Sequence, residues 1–502
     1  MIKKNSFFTI LLAGLFAFGS FAESRPPNIL FIVADDLGWS DTNPYGGTFY
    51  ETPNISRLAR DGMMLKNFHT TSPVCSPARA SLMTGLYAER LGMIQPACHI
   101  EKISLKASLP DSGWPHKKVI APRSTTRLDT VFPTYAKVLR DQGYLTAHFG
   151  KWHLGAEPYS PLEHGFDIDV PHTAAHGPKG TYFGPKQYSD TFTLKKGEHL
   201  EDRIAKEAVR FIHANKDRPF LLNYWAFSVH SPYFAKETLL EKYRKKAKQL
   251  PPGALQRNPI YAGMVETFDT NVGRLLDALE EAGIADNTIV VLTSDNGGTV
   301  RSGYTRKAYW GNGTPEEILD IPITSNAPLK GSKGTIYDGG TAVPFFAVWP
   351  GVIRPGSKSV GYFSGADIFP TFVEMAGLEM PAGIQIDGVS QVTLLKGGAS
   401  ARDTLHGFWP NYISKNGSIP AAWIRRDDYK LTRFFHDGPD GTHRHLLHNL
   451  TADIGEAKDL SARYPKKVQE LSDALDQHFA DVNAVIPVIN PAYDPSAVPP
   501  QK

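Results

Sequence analysis

The chain has 502 residues, 41% of them hydrophobic and 21% charged, as in a soluble protein with one large domain and a smaller one. Its formal charge is +3, and setting Lys3 and Lys4 aside leaves 52 basic against 51 acidic residues. This excludes the electrostatic footprint of a nucleic-acid or anionic-membrane binder, and only two cysteines exclude a disulfide scaffold.

Residues 1–22 read as a secretory signal: Lys3 and Lys4, an apolar run from Phe7 to about Phe18, then Ser20-Phe21-Ala22 as the cleavage site. The apolar run is shorter than a membrane span, and no cysteine follows it for lipid attachment. The mature chain is therefore expected to be exported, periplasmic or secreted, with no membrane span and a start near Glu23.

Pro27 to Ala34 is a continuous apolar run rich in β-branched residues, which predicts a central parallel strand covered on both faces. It ends in Asp35-Asp36-Leu37-Gly38-Trp39. Adjacent carboxylates repel unless a cation or donors hold them, so a metal is favoured over a plain turn. A short helix is expected from Asn54, as its cap, to Asp61.

Residues 72–86 come next, Ser-Pro-Val-Cys-Ser-Pro-Ala-Arg-Ala-Ser-Leu-Met-Thr-Gly-Leu. Ser76 is the expected N-cap of a helix, Pro77 its first position, and Gly85 or Gly92 its stop. Cys75 then lies at the positive end of the helix dipole, with Arg79 on the same side. A nucleophile flanked by anion-holding groups suits sulfate or phosphate chemistry. The competing readings are a buried structural thiol and a disulfide with Cys98.

Residues 99–130 read as a loop inserted near the site. A helix over 133–142 leads to a strand, Tyr144–Gly150, which delivers Lys151-Trp152-His153. After a long loop over 155–198, a helix is expected over Glu201–Asn215. A buried strand over Pro219–Val229 then closes on His230, and a long helix spans Ile260–Glu281. Thr288–Ser294 repeats the first strand's pattern and runs into Asp295-Asn296-Gly297-Gly298. A second long loop, 300–328, leads to Lys330-Gly331-Ser332-Lys333-Gly334, a Gly-rich turn, a strand over Val343–Trp349 and a helix over Asp367–Met375.

Beyond about residue 385 the pattern alternates, with antiparallel strands expected over Thr404–Trp409, Ala421–Phe435 and His445–Leu450 and a closing helix over Lys466–Ala480. The Pro-rich tail after Ile486 has nothing to pack with and is expected to be a surface strap or mobile. The expected organisation is a signal (1–22), a catalytic domain (23–385), a C-terminal subdomain (386–485) and the tail (486–502). The fold class is α/β: a large central, mostly parallel mixed sheet flanked by helices, with a smaller α+β subdomain carrying an antiparallel sheet.

Ligands of an open α/β sheet bind beyond the carboxyl ends of its parallel strands. Asp35 and Asp36, Lys151 and His153, His230, and Asp295 and Asn296 all fall at such ends. Cys75-Ser76-Pro77-Ala78-Arg79 resembles the Cys-x-Pro-x-Arg signature of the type I sulfatases, within the alkaline phosphatase superfamily, and Ser81–Gly85 resembles its extension. In that family a maturation enzyme oxidises the cysteine to formylglycine, whose hydrated aldehyde attacks sulfur. The resemblance implies that Asp35, Asp36, Asp295 and Asn296 bind one metal ion together with the oxygen at position 75. Three carboxylates and an amide carbonyl are hard donors, which suit Ca2+ or Mg2+ over Zn2+; room for nucleophile and sulfate oxygens favours Ca2+. It further implies that Arg79 and Lys151 hold the aldehyde hydrate and that His153 is the base that later releases sulfate. His230 and Lys333 would grip the sulfate and protonate the leaving oxygen.

The implied activity is hydrolysis of sulfate monoesters on a sulfated carbohydrate, with galactose or N-acetylgalactosamine sulfate expected from family habit. His99, His172, His176, Arg301 and Trp409 are candidate sugar contacts on the rim. The alternatives are a phosphoester or phosphonate hydrolase of the same superfamily and a secreted sulfoglycan-binding protein without turnover. Paired-metal members resemble an Asp-His pair where this chain has Asp295-Asn296, which argues against the first.

Overall fold

Every residue of β1 (Asn28–Ala34) is buried, as a strand covered on both faces requires. The computed structural model describes residues 25–300, 311–413 and 417–499, so the expected signal and Arg301 lie outside the described residues. The main sheet adds β2 (Met63–His69), β3 (Leu145–Gly150), β4 (Ile168–Val170), β5 (Phe220–Trp225), β6 (Thr288–Ser294), β7 (Phe345–Val348) and β8 (Ser357–Ser364). Their order is β8-β2-β7-β6-β1-β5-β3-β4. β7 runs antiparallel to both neighbours, and every other adjacent pair is parallel.

The period-two alternation of β1 divides the core into two layers. Leu30, Ile32 and Ala34 pack with α1 (Pro53–Asp61), α4 (Leu200–Ala214), α5 (Glu237–Ala247) and α6 (Pro259–Glu281). Ile29, Phe31 and Val33 face α2 (Cys75–Thr84), α3 (Tyr135–Asp141) and α7 (Ile368–Met375).

A second, antiparallel sheet is made by β9 (Thr404–Trp409), β10 (Ala421–Arg426), β11 (Tyr429–Phe434) and β12 (Arg444–Asn449). One face, with Phe408, Ile424 and Leu431, packs on Leu471, Leu475 and Phe479 of α8 (Pro465–Asp481). The other face, with Leu405, Trp409 and Trp423, packs on Val74 and Ile336, which belong to loops over the main sheet. The architecture is the α/β class expected, with a small antiparallel sheet beside a large mixed one.

Local expectations need correction in four places. Helix α2 starts one residue earlier than expected: Val74 is its N-cap, Cys75 is its first residue, and the Ser76 hydroxyl donates to the His153 carbonyl at 2.8 Å instead of capping. Helix α1 is preceded by Thr52, not capped by Asn54, whose side chain donates to Asp269. The edge strand β8 lacks a clean apolar alternation, and α5 buries only the short Leu240-Tyr243 face of a Lys- and Arg-rich stretch, so neither is among the sequence expectations. The tail does find a partner: Val488–Ile489 pairs antiparallel with Val119–Ile120, and buried Asn490 donates to the carbonyls of Trp114 and Lys117.

Candidate active site

Four parallel strands, β6, β1, β5 and β3, end side by side, and each delivers polar side chains to the same place. β1 releases Asp35 and Asp36, β6 releases Asp295 and Asn296, β3 releases Lys151 and His153, and the segment after β5 carries His230. The loop after β2 enters α2 at Cys75, and Lys333 arrives from the loop before β7.

Position 75 is the centre. Its Sγ lies 3.6 Å from Asp35 Oδ1 and 3.5 Å from Lys333 Nζ. Lys151 Nζ donates to Asp35 Oδ2 at 2.6 Å, and Lys333 Nζ donates to Asp36 Oδ2 at 2.8 Å. Asn296 Nδ2 donates to Asp36 Oδ1 at 2.8 Å, and the Asp36 backbone N–H donates to Asp295 Oδ1 at 3.2 Å. Buried Arg79 donates from Nε to Asp295 Oδ2 at 2.8 Å and from Nη1 to the Lys151 carbonyl at 2.7 Å, with its guanidinium over the Trp225 ring. Arg79 thus pins the ends of β6 and β3 together.

Ligand atoms of Asp35, Asp36, Cys75 and His230 lie within 4.8 Å of one another. Asn296 Oδ1 and Arg79 Nη2 are buried without a hydrogen-bond partner, although Nη2 lies 3.8 Å from Asp35 Oδ1. Orphaned polar atoms are costly unless something else satisfies them, and these two border the acidic cluster.

The local fields are strong. Burial pushes the Cys75 thiol up to about 12, although Lys151 and Lys333 oppose it. Burial, followed by the neighbouring Asp295 and Asp36, raises Asp35 to about 7 against the pull of Lys151. Asp36 is buried too, but Lys333, His230 and Lys151 outweigh that and hold its carboxyl below the usual range. Burial and then Lys333 depress His230 well below its ordinary value, while burial and then Lys151 do the same to His153.

His99 and His176 gather beside His153: His99 Nδ1 is 3.3 Å from His153 Nε2, and the His99 and His176 rings are 4.6 Å apart. His172 instead pairs with Asp169 and Glu157. Trp409, expected on the rim, is 2% exposed and packs against Val74 beneath the nucleophile loop, so it offers no open face to a sugar. The two cysteines are both free and buried; Cys98 lies against Met93.

Two contributors escaped the sequence. The Thr299 hydroxyl lies 3.4 Å from Asp36 Oδ2, in a loop with no pattern to mark it. Glu201, which reads as an ordinary acid in the first turn of a helix, is fully buried and accepts from the backbone N–H groups of Phe227 and Ser228, behind Asp35. Ser228 in turn accepts from the Asp35 backbone N–H at 2.8 Å.

An open α/β sheet with carboxylates, cations and imidazoles converging on one side chain above its strand ends is the arrangement of a hydrolase of anionic esters. The Sulfatase family model matches residues 27–378, and the chain belongs to the sulfatase family of hydrolases. A second model, "N-sulphoglucosamine sulphohydrolase, C-terminal", matches residues 332–484. The human N-acetylgalactosamine-6-sulfatase is 29% identical, over 94% of this chain and 89% of its own length. The mouse steryl-sulfatase is also 29% identical, over 90% and 81%. Among solved structures, Ps i-CgsB in complex with k-i-k-neocarrahexaose matches with a TM-score of 0.70 at 26% identity, covering 90% of this chain and 92% of that one. No helix among the described residues is long and apolar enough to cross a membrane.

Proposed function

We propose that the protein hydrolyses sulfate monoesters on a carbohydrate, using formylglycine made from Cys75 and one Ca2+ held by Asp35, Asp36, Asp295 and Asn296. The observation that carries this reading is the environment of position 75, set between Asp35 and Lys333 at the ends of parallel strands. A thiol pushed up to about 12 by burial is a poor nucleophile as encoded, which favours conversion to an oxygen nucleophile. The orphaned Asn296 Oδ1 and the gathered carboxylates fit a hard cation. His230 also borders the cluster, and Cys75 would join it through oxygen only after modification.

Calcium there would draw charge from the bound sulfate, and the hydrated aldehyde would supply the attacking hydroxyl and a second one for sulfate release. The remaining work belongs to the chain's own groups. Lys151 and Lys333 hold negative charge beside position 75, and Arg79 Nη2, 3.8 Å from Asp35 Oδ1, has no hydrogen bond and adds positive charge there. His230 Nδ1 donates to the Ser231 carbonyl, which leaves Nε2 as an acceptor 3.8 Å from Asp36 Oδ2, so the leaving oxygen takes its proton from the Lys333 ammonium beside position 75. His153 Nδ1 is buried without a hydrogen-bond partner, and burial followed by Lys151 favours the neutral ring that a base for the sulfate-release step needs.

A carbohydrate substrate, with galactose or N-acetylgalactosamine sulfate favoured, is supported by the human relative's name and by the neocarrahexaose complex of Ps i-CgsB. His99 and His176 are the rim groups nearest the site for such a sugar. Export through residues 1–22 and maturation by a formylglycine-generating enzyme complete the proposal. Steady-state turnover of an aryl sulfate against the matching aryl phosphate tests the reaction, and sulfated oligosaccharides of defined position test the substrate. The reading requires sulfate preference and inactivity of Cys75→Ala; phosphate preference would move the protein to the phosphoester branch.

A further inference from the structure

The loop that carries Lys333 is held from the C-terminal sheet by a buried clasp. Alternation along β11 turns Leu431 toward α8 and Lys430 toward the main domain. Lys430 is fully buried; its Nζ donates to Asp338 Oδ1 at 2.6 Å and to the Ile336 carbonyl at 3.2 Å, and lies 2.9 Å from Glu456 Oε1. Glu456, also fully buried, accepts on Oε2 from the Asp338 backbone N–H at 2.8 Å, and its carbonyl accepts from Lys330 Nζ at 3.0 Å. Ser418 adds a hydroxyl donated to the Gly334 carbonyl at 2.8 Å. The C-terminal part thus grips residues 330, 334, 336 and 338, on both sides of Lys333.

The clasped loop is also tied to the acidic cluster. Lys333 N–H donates to the Gly298 carbonyl, Gly334 N–H to the Pro73 carbonyl, and Gly297 N–H to the Gly340 carbonyl. A Cβ on Gly297 would lie 2.0 Å from the Gly339 carbonyl oxygen, so no side chain fits between the Asn296 turn and the clasped loop. Any displacement of the loop therefore moves Lys333 relative to Asp36 and position 75.

We infer that Lys430 and Glu456 are positioning residues that set Lys333 against position 75, which makes the C-terminal sheet a working part of the site. A buried lysine set between the buried carboxyl groups of Asp338 and Glu456 is a poor choice for cohesion alone, since well-packed apolar residues serve as well. What an ionic clasp provides instead is one fixed geometry, and here that geometry is the loop bearing a cation of the site. This inference rests on the sulfate-ester reading only for its kinetic readout.

The test is a double-mutant cycle between Lys430→Met and Lys333→Ala, read as kcat and KM on an aryl sulfate and as calorimetric binding of inorganic sulfate and phosphate, which need no turnover. Groups acting through one another are non-additive. Lys430→Met should lower kcat about tenfold or more when Lys333 is present and less than about twofold when it is absent. Ser418→Ala leaves the buried charges intact and should show the same coupling at about threefold, which keeps the test valid if Lys430→Met fails to fold. Equal losses in both backgrounds, for turnover and for anion binding, would overturn the inference. A wild-type protein that binds the anions through this coupling but turns over no sulfate ester would instead overturn the functional reading.

Discussion

Lys151 Nζ sits 2.6 Å from Asp35 Oδ2, with both side chains fully buried and delivered by strands that are not themselves neighbours. The pair spans β5, and Arg79 locks it by holding the Lys151 carbonyl on one side and Asp295 on the other. A buried ion pair of this kind is a poor source of stability and a good source of placement.

Replacing Lys151 by Met leaves Asp35 buried without its main cation, a change that costs about 3–5 kcal/mol in comparable pairs. The variant is expected to unfold at a lower temperature, with part of the loss recovered in excess Ca2+, which would take over as the partner of Asp35. Its kcat should fall at least about 100-fold through lost charge stabilisation at the reacting oxygen. Thermal unfolding with and without Ca2+, alongside kcat, checks both.

Chelation addresses the metal directly. A ligand at 100 times its dissociation constant stabilises the folded state by about 2.7 kcal/mol. Ca2+ should therefore raise the unfolding midpoint of wild type, and EGTA should lower it. Asp295→Ala should abolish the difference. An identical midpoint for wild type in Ca2+ and in EGTA would count against the site.

Glu201 predicts a pH dependence of stability. Burial raises its pKa to about 8 against the lowering effect of the Phe227 and Ser228 N–H groups. The folded chain thus holds this proton more tightly than the unfolded chain, whose glutamates titrate near 4.5. Its contribution is complete below about pH 4.5 and is lost as pH rises through about 8. Glu201→Gln keeps an acceptor for both N–H groups and should flatten that decline. Unfolding midpoints from pH 5 to 9 should converge for the two proteins at the acid end and diverge in favour of the variant at the alkaline end.

Gly150 precedes Lys151 at φ +115°, and a Cβ there would meet the Trp225 carbonyl oxygen at 1.9 Å. Gly150→Ala is therefore expected to displace Lys151 from Asp35 and to cost more stability than the usual few tenths to 1 kcal/mol of a Gly-to-Ala exchange, in the destabilising direction. Unfolding and kcat measured together should both fall; a variant with wild-type values would show that the strand end is more tolerant than its geometry implies.

Much of this site was legible because parallel strands buried on both faces leave continuous apolar runs, and the polar residue that ends each run is conspicuous. Asp35 and Asp36 after β1, and Asp295 and Asn296 after β6, were found this way, paired across adjacent strands 259 and 260 residues apart. The short Cys-x-Pro-x-Arg signature did the rest for α2. What escaped depends on contacts between distant segments. Lys430 lies in an alternating strand and looks like a solvated lysine until the sheet is docked on Ile336. Trp409 looks like a rim aromatic until β9 is seen to face Val74. The start of α2 shifted because Ser76 found the His153 carbonyl, a partner 77 residues away that local capping rules do not include.

The most direct test is the mass of the proteolytic peptide carrying Cys75, taken from protein produced with a formylglycine-generating enzyme and assayed for aryl sulfate turnover in the same preparation. Conversion to formylglycine removes about 18 Da, and turnover should rise in proportion to the converted fraction. Unmodified Cys75 in a preparation that hydrolyses sulfate esters at full rate would contradict the account.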